Sequence, residues 1–148
     1  MDDVQAWDTA VLLLRAATEL TDGIQRGVAA RGFADVRPAH GFALVRISRG
    51  GATVAELAEH LGVTKQAASQ LTELLVSRGY VTRTVDPCDG RGRLLQLTEQ
   101  GWTCTRAAQQ AGAETVSGWQ RAASDRTVRS LRTALAAVVT PGPLRPGW

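Results

Sequence analysis

A mainly helical fold with one small β-hairpin is what this 148-residue sequence predicts, and three observations carry that expectation. Apolar residues recur at helical spacing along most of the chain. Between Thr53 and Leu75 a capped segment, a Gly turn and a second capped segment follow one another. Directly after Gly79 the pattern changes to alternation over Tyr80 to Val85, breaks at Asp86-Pro87-Cys88-Asp89-Gly90-Arg91-Gly92, and resumes in Leu94, Leu95, Gln96 and Leu97. Two short helices at a tight turn, followed by such a hairpin, make a winged helix-turn-helix.

The first helix is expected over about 3–31, with Val4, Trp7, Val11, Leu14, Ala17, Leu20, Ile24 and Val28 on one stripe and Gly32 at its end. A short helix from Pro38 to about Ser48 follows, Pro being tolerated in a first turn, and it carries Phe42, Leu44, Val45 and Ile47. Thr53 and Glu56 form a capping box, and Val54, Leu57, Ala58 and Leu61 then supply a buried stripe. Gly62 can adopt the positive φ of the turn, Val63 is expected to plug the gap between the helices, and Thr64 to cap the next one. In that helix Ala67, Ala68, Leu71, Leu74 and Leu75 should face inward, and Gln66, Ser69, Gln70 and Glu73 outward, with Lys65 and Thr72 flanking. Thr98 caps a long helix from Glu99 to about Ala123, with Trp102, Ala108, Ala111, Val116 and Trp119 on it and a bend expected at Gly112 or Gly118. Val128, Leu131, Leu135 and Val138 mark a last helix, which Thr140-Pro141-Gly142-Pro143 stops.

The expected organisation is a single domain over 1–140. Its winged helix-turn-helix occupies about 38–98, dimerisation helices about 3–31 and 99–140, and 141–148 form a loosely ordered tail that Trp148 could anchor. One small winged unit does not need this much helix for its own core. The economical reading is that the terminal helices meet their counterparts in a second chain; a monomeric bundle is the alternative, because periodicity fits both.

Amides and hydroxyls are the groups that read base edges, Gln pairing bidentately with adenine. Thr64, Lys65, Gln66, Ser69 and Gln70 are therefore candidate contacts to double-stranded DNA, although a solvated helix face suits the same residues. Arg91 and Arg93 at the hairpin tip could enter a minor groove, where narrowing concentrates negative potential. Asp89 could brace Arg91 by an ion pair.

The run DPCDGRGRLLQLTEQG resembles the wing and following helix start of MarR-type transcriptional regulators, and LGVTKQAASQL resembles their recognition helix. The arrangement of flanking helices extends the resemblance over nearly the whole chain. One departure is visible: the family commonly has Arg-Arg after the wing Asp, and here Gly90 takes the first position, which implies a lighter wing contact. The resemblance implies a homodimer that represses or activates promoters and responds to a small aromatic or phenolic ligand, a repressor released by that ligand being the expected case; a two-fold dimer is expected to bind an inverted-repeat operator. It also implies a ligand cavity between the dimer helices and the winged unit, with Trp7, His40, Phe42 and Trp102 as candidate lining residues. The alternative is a winged helix serving protein–protein interaction or dimerisation without DNA.

Composition agrees with a single domain bearing a real core: 44% of residues are hydrophobic. The net charge of +3 fits a nucleic-acid partner without demanding one, and Lys65 is the sole lysine. No run approaches transmembrane length, and Asp2 and Asp3 are acidic where a signal peptide would be basic, so a cytoplasmic location is expected. Cys88 and Cys104 lack CxxC spacing and a paired His, so no metal site or cofactor is expected. Neither His40 nor His60 has a nucleophile at recognisable spacing, and no catalytic residue is assigned. Cys88 in the wing could disturb DNA contact on oxidation, but peroxide-sensing members of the resembled family place their reactive Cys near the start of the first helix, where this chain has none.

Overall fold

The computed structural model describes residues 1–140 and 142. The tail expected over 141–148, with Trp148, lies outside the described residues apart from Gly142. Among the described residues six helices and one hairpin follow in order: α1 (Asp3–Ala30), α2 (Pro38–Ile47), α3 (Val54–Leu61), α4 (Lys65–Ser77), β1 (Val81–Val85), β2 (Arg93–Leu97), α5 (Glu99–Ala123) and α6 (Asp125–Val138).

Local chemistry sets most boundaries. Asp2 accepts the Gln5 N–H at 2.8 Å while Gln5 reaches back to the Asp2 N–H, so α1 opens on a capping box. Thr53 and Glu56 form another at α3, at 3.2 and 2.8 Å. Gly62 closes α3 in the left-handed conformation, φ +66° and ψ 33°. Thr64 caps α4 through the Ala67 N–H at 3.1 Å, and Thr98 caps α5 through the Gly101 N–H at 3.1 Å. α5 runs through Gly112 and Gly118 as one continuous helix. Ser124 ends α5 and begins α6 with φ +83° and ψ 151°, a strained conformation for a residue with a Cβ.

The hairpin pairs antiparallel with Val81 opposite Leu97 and Val85 opposite Arg93. Ala52 adds an isolated bridge to Leu95 on the other edge of β2. The core lies where α2, α3, α4 and this small sheet converge, around Leu44, Ile47, Leu57, Leu75, Tyr80 and Leu95, all at most 2% exposed. α1 and α5 lie against one another so closely that a Cβ added at Gly27 would come within 2.4 Å of the Ala111 Cβ.

Two expectations need correction. The buried stripe of α4 is Ala68, Thr72 and Leu75, and Ala67 is exposed. Thr72 can be buried because its hydroxyl donates to the Ala68 carbonyl at 2.8 Å, leaving no unsatisfied donor. Val63 does not plug the helix pair: it is 43% exposed, its N–H bonded to the Ala58 carbonyl in the turn. The apolar stripe of α1, by contrast, is buried only at its C-terminal end; Val4, Trp7 and Leu14 are exposed and no residue of α6 is buried, so both helices keep apolar surface spare, as expected.

The junction of wing and α5 offers a sharp stability test. A Cβ at Gly101 would stand 2.2 Å from the Tyr80 carbonyl oxygen, a backbone atom with no room to withdraw. Gly101→Ala is expected to destabilise the domain by about 1–3 kcal/mol through overpacking, despite the better helix propensity of Ala. Denaturant titration checks this; a stability equal to or above the parent's would contradict the packing described.

Candidate nucleic-acid interface

The N-terminal turns of α4 present Thr64, Lys65, Gln66 and Gln70 to solvent, with Ser69 half-buried. Thr64 is engaged as the cap, so its hydroxyl holds the helix start as well as facing outward. The helix is fixed from behind. Arg46 of α2 donates to the Gly51 carbonyl at 2.8 Å and pairs with Glu56 of α3 at 3.5 Å, joining α2 to the helix that packs against α4.

The wing is held by Asx turns. Asp86 accepts the Cys88 N–H at 2.9 Å and Asp89 accepts the Arg91 N–H at 3.0 Å. Asp89 therefore braces the backbone at Arg91 and not its guanidinium, as the ion-pair expectation had it; a short side chain two residues away reaches the N–H more readily. Arg91 and Arg93 are exposed, and neither forms an ion pair with a described residue. Cys88 is exposed beside them.

Glu73 of α4 pairs with Arg83 of β1. Sequence reasoning missed this pair, because the outward placement of both residues is visible but their meeting depends on how the wing leans on α4. The pair matters in two ways: it ties wing to helix, and it offsets the one carboxylate on the outward face of α4.

A separate cavity of about 300 Å³ lies between α1, α2 and α5. Ile24, Val28, Phe42, Val45 and Ala108 give it apolar walls, and Gln25, Arg37 and Gln109 supply its polar lining. Cys104 contributes a buried thiol, whose pKa burial pushes up to about 11 with help from the Asp35 charge; it is protonated and unreactive at neutral pH. Of the four candidate ligand residues, Phe42 alone lines this cavity. Trp7 is 69% exposed near the start of α1, and Trp102 lines a different cleft with Ile47, Gly51 and Leu97. His40 stands in the first turn of α2, its Nδ1 accepting the Arg37 N–H at 3.1 Å. The four are thus not gathered in one site within the chain. Cys104 and Gly112, which line the cavity, were missed: an apolar helical stripe reads the same whether it meets side chains or a void.

Residues 34–92 match the model of the MarR family. Solved structures with the same fold include RV1404 of Mycobacterium tuberculosis, 23% identical with a TM-score of 0.74 over 97% of this chain and 99% of that one. The apo form of MarR from E. coli is 23% identical, with a TM-score of 0.71 over 88% of this chain and 96% of that one. A mutant MepR from S. aureus, solved bound to an oligodeoxyribonucleotide, is 19% identical with a TM-score of 0.64 over 87% and 94% of the two chains. A riboflavin kinase of Thermoplasma acidophilum is 43% identical over 49 residues, 33% of this chain. The chain spans only 21% of that curated relative's length, too little to carry its activity over.

His40 generates a pH prediction. Burial chiefly, and the Arg78 charge next, lower its pKa, with Arg37 acting the same way and Asp35 opposing. The folded protein thus favours the neutral ring, whose Nδ1 can accept the Arg37 N–H. Stability is full above the ordinary His value of 6.5 and is lost as pH falls from there through the lowered folded value. His40→Gln is expected to reduce that loss, measured by denaturant midpoints from pH 8 to pH 5; an unchanged profile would show that His40 does not contribute to it.

Proposed function

We propose that this chain, which carries the winged helix of the MarR family over residues 34–92, is a dimeric, sequence-specific DNA-binding regulator. We infer further that it acts as a repressor released by a small ligand. The observation that supports the reading best is the outward face of α4: Lys65, Gln66 and Gln70 are exposed on a capped helix that an ion pair joins to a wing with two exposed arginines. Gln66, Ser69 and Gln70 would read base edges from the major groove. Lys65 and the N-terminus of α4 favour phosphate, and Arg91 and Arg93 would meet minor groove or backbone. The oligonucleotide bound to the MepR relative supports the same use of the fold.

Dimerisation is supported by apolar surface left without a partner: Val4, Trp7 and Leu14 on α1, and Leu131 and Val138 on α6, are exposed in the single chain. An isologous two-fold pair would cover both stripes and place two recognition helices about 10 base pairs apart on an inverted repeat. The cavity beside Phe42, at about 300 Å³ and with few polar groups, would suit a small aromatic ligand. No helix among the described residues is long and apolar enough to cross a membrane, which accords with a cytoplasmic regulator.

Binding to the DNA upstream of its own coding region, followed by gel shift and footprinting, tests the reading. An inverted-repeat footprint is expected; absence of specific binding would leave protein–protein interaction as the use of the winged helix. Gln70→Ala is expected to cost about 1–3 kcal/mol on the native operator and to relax preference at one base position. Arg91→Ala should weaken binding to most sequences and flatten the salt dependence by about one unit of slope if it meets phosphate. Affinity measured against operator variants across a salt series separates the two roles.

Replacing Leu131 and Leu135 together with Glu should give monomers that no longer bind the operator. Light scattering on the parent is expected to give twice the chain mass, and a parent that is monomeric at micromolar concentration would overturn the dimer.

A further inference from the structure

The cavity and the recognition helix lie on opposite sides of one short loop, and that loop is bonded to both. On the cavity side, Val36, Arg37 and Pro38 are lining residues, Val36 is buried, and Gln25 of α1 donates to the Val36 carbonyl. On the other side stands Asp35. Its carboxylate accepts the Tyr80 hydroxyl at 2.9 Å and pairs with Arg78 at 3.7 Å, and its carbonyl accepts an Arg78 N–H at 2.9 Å. Arg78 is the C-terminal cap of α4, and Tyr80 is the last residue before β1. Phe33, in the same loop, places its ring against Tyr80 with centroids 6.2 Å apart.

The wall made by α1 and α5 has little room to give. α1 and α5 meet at Gly27 and Ala111, and at Gly23 and Thr115, without space for a methyl group between them. Whatever fills the cavity meets that closed crossing on one side, and α2 with the loop residues Val36 and Arg37 that lead into it on the other. A packed interior passes such strain to its more yielding boundary.

We infer that Asp35, with Arg78 and Tyr80, is a relay by which occupancy of the cavity repositions the end of α4 and the root of the wing. Asp35 is a positioning residue: it touches neither the cavity nor the face offered to DNA, and acts through the two side chains it holds. The relay deepens the ligand-release reading and rests on it for its biological use. The mechanical link can be tested without DNA or ligand.

Gly112→Leu supplies the filling. Gly112 lines the cavity, and a Cβ there meets only Ile24 at 3.6 Å, an ordinary contact. Hydrogen exchange of the full-length protein is read over residues 65–85, each filled protein being compared with its own unfilled parent. With the relay intact, filling is expected to lower protection there by about fivefold or more. With Asp35→Ala the same filling is expected to change it by less than about twofold. Should Asp35→Ala fold poorly, Tyr80→Phe removes only the hydroxyl and repeats the comparison, and Ala108→Phe replaces the filler. Equal losses with and without the relay would overturn the inference, as would unchanged protection over 65–85 on filling the intact protein. A protein that passed this test yet bound no DNA would keep the relay and lose the regulator reading.

Discussion

The burial of Tyr80 is the constraint on which the rest of the structure depends. Its ring is 2% exposed in the core, and its hydroxyl finds an acceptor in Asp35, so the phenol enters without an unsatisfied donor. Its carbonyl accepts the Thr98 N–H at 3.1 Å, and Gly101 leaves that carbonyl the space it needs. One residue therefore meets the end of α4, the start of the wing, the first turn of α5 and the loop after α1. Burial and its polar partner push the phenol's pKa up to about 12, so the proton it donates stays in place at neutral pH.

Around that junction the chain divides its surface by chemistry. The outward faces of α4 and the wing are polar, cationic and braced by short-range bonds. The long outer helices carry apolar stripes that their own chain leaves open. The core around α2, α3, α4 and the hairpin takes in Val28 from α1 and no described residue of α6. The exposed apolar surface is of the kind that marks an interface.

Much of this was legible in the sequence where a local rule decides. The Thr53–Glu56 capping box, the Gly62 turn and the break from Asp86 to Gly92 are chemistry within a few residues, and each appears where its residues predict. Rotation about the α4 axis was less legible, since Ala67 and Thr72 exchange places with a small turn and a hydroxyl bonded to its own helix passes for apolar. The bond between Asp35 and Tyr80 spans 45 residues and starts in a loop with no periodicity, so no sequence pattern marks it. The cavity was hidden for a different reason: periodicity reports that a face is apolar, not what it faces.

Ser124 carries a consequence for how this protein can vary. It caps two helices at once, with no spacer residue between α5 and α6. An α-helix turns about 100° per residue, so inserting or deleting one residue at this joint would swing the stripe of Leu131 and Leu135 away from its present direction. Related chains should therefore tolerate substitution along α6 far better than a change of length at its start. The strained serine works as a phase setting: Gly in its place would ease the backbone and loosen the setting with it.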